Sequence, residues 1–187
     1  NISCLGIYRG YNGLINSDVV EMDARSVDGI QVKGGTMLYT ARCDEFRTPE
    51  GVQRGADTCR YLGIQGLIAI GGDGTFRGAR DLARLGVPTI CIPATIDNDI
   101  QCTHYTIGFD TASNTAVEAI DKLRDTMQSH ERCSVVEVMG HNSGNLAMYV
   151  GIAVGASAII IPERPTNPEE IYETIRMGRI HGRHHHI

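Results

Sequence analysis

The sequence predicts an α/β fold of parallel strand–helix units, and three observations carry that prediction. Short apolar bursts alternate with helix-patterned stretches from residue 58 onward, the usual signature of βα units. The bursts are rich in Val and Ile and short enough to be buried on both faces, as the strands of a parallel sheet are. The stretch GLIAIGGDGTFRGARDLARLG passes from strand through a glycine-rich turn into a helix.

In chain order, strands are expected near residues 4–8, 66–70, 89–92, 134–139 and 158–161. Helices are expected over 49–62, 76–85, 112–127, 144–154 and 167–180, each with apolar residues at helical spacing. Within the third of these, Val117, Ile120 and Leu123 recur as one apolar face. Asn167 followed by Pro168 reads as a helix cap with proline at the first helical position. The closing HGRHHHI is open to two readings, a tag-like histidine cluster or a segment approaching another strand.

Composition narrows the function. The 187 residues, 42% of them apolar, are enough for one domain or two small lobes with a real core. A net charge of −5 argues against a nucleic-acid or membrane partner held by bulk electrostatics, while leaving room for a local basic pocket. Six cysteines at 4, 43, 59, 91, 102 and 133 form no C-x-x-C pair, which suits reduced thiols in a cytoplasmic protein rather than a disulfide scaffold or a zinc site. Neither a long apolar span nor a signal-peptide pattern occurs. A start at Asn1 without methionine suggests an incomplete chain.

Two clusters carry chemistry. Glycines 71, 72 and 74 allow positive φ and close backbone approach, so amide hydrogens of the turn and the helix start can cradle phosphate oxygens. Asp73 among them would repel phosphate unless a cation sits between, which points to Mg²⁺. The second cluster is PATIDND, where an apolar run ends in Asp97 and Asp99. Both clusters are expected at the carboxyl ends of strands, where open parallel sheets gather ligands, with their aspartates facing a shared crevice. Phosphoryl transfer from a nucleotide needs a metal, backbone donors and a carboxylate that receives the hydroxyl proton. Asp73, the glycines, and Asp97 or Asp99 could supply all three.

The segments GGTMLYTARCDEF, IGGDGTFRGA, PATIDND, YTIGFDTA and RCSVVEVMG resemble, in order and spacing, the 6-phosphofructokinases, and the resemblance runs over essentially the whole chain. It implies lobes with a three-layer, Rossmann-like parallel sheet: residues 1–109 as most of an ATP-binding lobe and 110–187 as the start of a sugar-phosphate lobe. It implies transfer of the γ-phosphate of ATP to the 1-hydroxyl of fructose 6-phosphate in glycolysis, with Mg²⁺, by a cytoplasmic homotetramer. By that match Asp97 is the general base, Thr95 contacts the transferring phosphoryl group, and Asp73 and Asp99 serve the metal. Arg42, Cys43, Gly72, Gly74 and Thr75 line the nucleotide site, Met139 and Gly140 hold the sugar, and Arg132 reaches the 6-phosphate. His141 stands where the family usually has an arginine. An N-terminal strand with a glycine-rich nucleotide loop, and a C-terminal portion, are expected from the family and are not in this sequence. The rival readings are a pyrophosphate-dependent member and a non-catalytic regulatory or sugar-phosphate-binding homologue.

Overall fold

A computed structural model describes residues 2–187. The chain divides into two compact units, Asn1–Ile92 and Pro93–Ile187.

The first unit opens with strand β1 (Cys4–Ile7), helix α1 (Tyr11–Asn16) and strand β2 (Val19–Met22). β1 and β2 pair antiparallel, with Cys4 opposite Met22 and Ile7 opposite Val19. Neither α1 nor β2 is expected from the sequence, because each is too short to show a period. The fold-back of α1 on the chain just after β1 depends on Gly13, where a Cβ would lie 1.8 Å from the Tyr8 carbonyl oxygen. A short 3-10 turn at Glu45–Arg47 leads into helix α2 (Pro49–Tyr61). Thr48 caps α2, its hydroxyl accepting from the Gly51 N–H at 3.1 Å, and Pro49 sits at the first helical position, where it sacrifices no hydrogen bond. Strand β3 (Leu67–Gly71), helix α3 (Asp73–Arg84) and the start of strand β4 (Thr89–Thr95) complete the unit. Its core joins Leu14, Phe46, Val52, Ala56, Cys59 and Leu82. α3 begins at Asp73, three residues earlier than expected, so most of the predicted turn is helix.

In the second unit the end of β4 pairs in parallel with the two-residue strand β5 (Ile107–Gly108), through Ala94 opposite Ile107. β4 thus runs through Pro93 to Thr95, beyond its expected end at 92. Helix α4 (Phe109–Ser129) follows, then α5 (Asn145–Ala153) and α6 (Pro168–Ile180). Asn167 caps α6 as expected, its Oδ1 accepting from the Glu169 N–H at 3.1 Å. The core of this unit gathers Phe109, Ile120, Leu146, Val150 and Val154, with Ile96 and Val117 against it. Leu123 departs from the expected face and stays half exposed; Arg124 turns inward instead and donates to the Val154 carbonyl at 2.6 Å.

Two expected strands do not form. Residues 134–139 and 158–161 have strand-like sequences but lack a ladder, and Val135 is 90% exposed. A strand needs a neighbouring backbone as well as β-branched residues, and here one is found only by Cys133, Ser134 and Ser157, at or just before the starts of the segments. Cys133 forms a parallel bridge with His186, the His186 carbonyl accepts from the Ser134 N–H at 2.9 Å, and the Ile187 carbonyl accepts from the Ser157 N–H at 2.7 Å. The terminal histidine segment therefore does approach other extended segments. Among the described residues no helix is long and apolar enough to cross a membrane.

Candidate functional site

In the first unit, the glycine-rich segment is a helix start laid bare. Gly72 is the residue before α3 and has an extended backbone, φ −98° and ψ −162°; neither it, Gly71 nor Gly74 adopts positive φ. The glycines serve through their missing side chains instead. A Cβ on Gly71 would lie 2.4 Å from Thr75 Oγ1, whereas one on Gly74 would meet nothing within 4 Å, leaving open space above the first turn. No side chain caps α3, so the first N–H groups of the helix, which have no intrahelical acceptor, face outward with the positive end of its dipole. That arrangement suits phosphate oxygens. Asp73 lies in this first turn and pairs with Arg77 one turn on, at 2.8 Å.

A relay of packed rings connects this helix start to the segment bearing Arg42 and Cys43. The Cys43 carbonyl accepts from the Phe46 N–H at 3.2 Å, and the Phe46 ring stacks on Tyr11 with centroids 4.0 Å apart. The Tyr11 hydroxyl donates to the Thr75 carbonyl. Burial above all, with Asp81 nearby, pushes the Tyr11 phenol well above its ordinary range, so it remains a donor. Gly78 is flush beneath the same ring, since a Cβ there would lie 2.5 Å from Tyr11 Cε2. Cys43 is half-buried against the core and Arg42 is exposed. Tyr11 and Phe46 are residues the sequence did not single out; an aromatic alone reads as core.

In the second unit the Asp97 loop is built from its flanks. Ile96 packs on the core and Ile100 is buried, and these two anchors bracket Asp97, Asn98 and Asp99. Thr95 Oγ1 accepts from the Asp97 N–H at 3.2 Å, which leaves the Thr95 hydroxyl hydrogen available to donate. The Asp97 and Asp99 carboxylates accept no hydrogen bond and form no ion pair among the described residues. The loop is tied by hydrogen bonds to the turn that carries Gly140 and His141: Ser143 Oγ donates to the Asp97 carbonyl at 3.0 Å, and Asn145 Nδ2 donates to the Asn98 carbonyl at 2.7 Å. The turn closes through the Ser143 N–H to the Gly140 carbonyl at 2.8 Å.

Gly140 is confined to glycine, with φ 151° and a Cβ position 2.4 Å from the Ser143 carbonyl oxygen. Met139 before it projects outward, 73% exposed, while Val138 faces the core. His141 is exposed at φ 53°, a left-handed conformation that histidine tolerates better than most side chains. Arg132 is exposed at the start of the segment, and its carbonyl accepts from the His186 N–H at 3.2 Å. The structure thus joins Thr95 and Asp97 to Gly140 and His141 within one unit, and joins Cys43 to Gly72–Thr75 within the other. Among the described residues no hydrogen bond or ion pair joins Arg132 to the Asp97 loop.

The sequence matches the phosphofructokinase family profile over residues 1–187. It is 55% identical over 182 residues to an ATP-dependent 6-phosphofructokinase of Paenibacillus macquariensis, a match that covers 97% of this chain and 56% of the relative. It is 53% identical over 186 residues to an ATP-dependent 6-phosphofructokinase of Clostridium botulinum, covering 100% of this chain and 58% of the relative. The chain therefore spans a little over half the length of these relatives. Among solved structures, the phosphofructokinase of Saccharomyces cerevisiae superposes with a TM-score of 0.83 at 33% identity, over 97% of this chain and 28% of that one. The Pichia pastoris phosphofructokinase gives 0.84 at 31% identity, over 97% of this chain and 23% of that one. A pyrophosphate-dependent phosphofructokinase from Marinobacter aquaeolei shares the fold, at a TM-score of 0.70 and 23% identity, over 96% of this chain and 50% of that one.

Proposed function

The chain belongs to the phosphofructokinase family, and from that premise we propose that the full-length protein transfers the γ-phosphate of ATP to the 1-hydroxyl of fructose 6-phosphate. The observation that carries this reading is the Asp97 loop. A carboxylate without a hydrogen-bond partner, on a backbone fixed by Thr95 and Ser143, is a base held ready for a proton that only a substrate brings.

Each residue then has a task. Asp97 accepts the proton of the attacking hydroxyl. Thr95 donates its free hydroxyl hydrogen to the transferring phosphoryl group. The N–H groups from Gly72 to Thr75 hold the nucleotide phosphates, and Arg42 and Cys43 line the nucleotide site. Met139 and Gly140 hold the sugar, and Arg132, a planar fork suited to paired phosphate oxygens, takes the 6-phosphate. His141 offers the phosphoryl group a hydrogen bond where an arginine would offer fixed charge.

The acidic donors fit Mg²⁺. Mg²⁺ takes oxygen ligands, and the Asp99 carboxylate is exposed to offer them. Asp73 and Asp99 would each serve it, directly or through water, and it would supply neutralisation of phosphate charge. Residues 1–109 serve as the nucleotide lobe and 110–187 as part of the sugar-phosphate lobe. The protein works in the cytoplasm as a homo-oligomer, a tetramer by analogy with its family.

The small residues Gly74 and Ala94 favour ATP over pyrophosphate, because larger side chains at those positions would occupy the path to the α-phosphate and adenosine. Formation of fructose 1,6-bisphosphate by the full-length protein, with ATP and pyrophosphate in parallel, tests the proposal. Faster turnover with ATP is expected. Faster turnover with pyrophosphate would assign the other donor, and absence of product with either would leave a sugar-phosphate-binding protein.

A further inference from the structure

Asn98 lies between the two free carboxylates and is bonded on every polar atom of its side chain. Its Oδ1 accepts from the Thr106 N–H at 2.9 Å, and the Thr106 hydroxyl divides its single hydrogen between this oxygen, at 3.2 Å, and the Thr95 carbonyl, at 2.5 Å. Its Nδ2 donates to the His104 carbonyl at 3.2 Å. Its own carbonyl accepts from Asn145 Nδ2 at 2.7 Å. Its backbone is left-handed, φ 49°, a conformation that Asn accepts more readily than most residues. Thr106 is almost fully buried, so this bonding is sheltered from competing water.

We propose that Asn98 is a positioning residue for the phosphoryl transfer, one that fixes the directions of Asp97 and Asp99 without touching substrate. The inference rests on the function proposed above. A side chain that reaches back to 104–106 is turned away from a ligand, with its Oδ1 and one of its two Nδ2 hydrogens bonded within the protein. A left-handed residue between two others breaks the alternation of an extended chain, so the carboxylates on either side are aimed by its backbone angles. Asn145 completes the hold from the start of α5, and Ser143 secures the preceding carbonyl. The loop is thereby clamped on both sides, while its two carboxylates stay without a hydrogen-bond partner among the described residues.

The test uses the full-length protein with Asn98→Gly, which keeps the left-handed backbone accessible but removes the side chain. The expected result is a fall in kcat of about a hundredfold, the scale set by a catalytic group displaced by about an ångström, with the KM for ATP changed less than about threefold. If Asn98 acts through Asp97, Asn98→Gly combined with Asp97→Asn costs little more than Asp97→Asn alone. Amide exchange at Thr106 should quicken in Asn98→Gly and stay slow in Asp97→Asn. A kcat within about threefold of wild type, full additivity of the two substitutions, or unchanged exchange at Thr106 overturns the proposal. Should Asn98→Gly fail to fold, Asn145→Ala, which removes the bond to the Asn98 carbonyl alone, is expected to lower kcat about tenfold, and an unchanged value is then decisive against the clamp. If the wild-type protein makes no fructose 1,6-bisphosphate, it is the proposed function that has failed, and Thr106 exchange alone decides whether Asn98 holds the loop.

Discussion

At the scale of single residues, His141 is where chemistry and conformation pull in different directions. A neutral imidazole gives one hydrogen bond, while an arginine gives a permanent charge and a fork of donors to a phosphoryl group gaining negative charge. The left-handed backbone at φ 53° suits histidine better than arginine, so the substitution costs some stability. In the full-length protein His141→Arg is expected to raise kcat by at least about tenfold, a small share of the 10³–10⁵ attributed to transition-state arginines, with ATP affinity little altered. Steady-state kinetics on wild type and variant decide it; an unchanged kcat would mean that another cation serves the phosphoryl group.

At the scale of elements, α3 depends on its neighbours as much as on its own sequence. It has no side-chain cap, and its first turn is held by the Tyr11 hydroxyl on the Thr75 carbonyl, with the Tyr11 ring lying on Gly78. Gly78→Ala improves helix propensity by about 1 kcal/mol but pushes a methyl group into the ring. Overpacking of this kind costs about 1–3 kcal/mol, so the net expectation is destabilisation. The ring cannot retreat, because Phe46 stacks on its other face at 4.0 Å. Thermal unfolding should show a lower melting temperature for Gly78→Ala, and weaker ATP binding should accompany it. A variant as stable as wild type would show that Tyr11 yields.

At the scale of the whole molecule, one acid-sensitive site lies at the C-terminal end of the second unit. His186 is buried, 2% exposed, with Nδ1 2.9 Å from Ser157 Oγ and with Nε2 lacking a partner among the described residues. Burial holds its pKa below the ordinary imidazole value, and the charges of Arg183, His185 and Arg179 act in the same direction. The native state therefore binds its proton less readily than the unfolded chain does. The stability linked to this site is complete above about pH 6.5, the unfolded value, and is lost as the pH falls from there towards the lower native value. Melting temperatures at pH 7.5 and 5.5 should differ more for wild type than for His186→Gln. Equal differences would place the acid sensitivity elsewhere.

Much of this was legible in the chain itself, and the reasons differ by feature. The α/β class, the helices α2 to α6 and the cap at Asn167 follow from local periodicity and from side chains that bond to their own backbone, so no distant partner is needed. Asp73, Asp97 and Asp99 stand out as candidates in the same local way, since carboxylates in a glycine-rich turn or at the end of an apolar run are conspicuous in one dimension. The fate of 134–139 and 158–161 was not legible, because a strand exists only when another backbone accepts its hydrogen bonds. Nor was the role of Tyr11, Asn98 or Ser143, whose partners Thr75, Thr106 and the Asp97 carbonyl lie 64, 8 and 46 positions away. The sequence by itself determined which groups could do chemistry. Tertiary structure decided which are held still and which are left free, because that depends on hydrogen bonds closed between segments that only folding brings together.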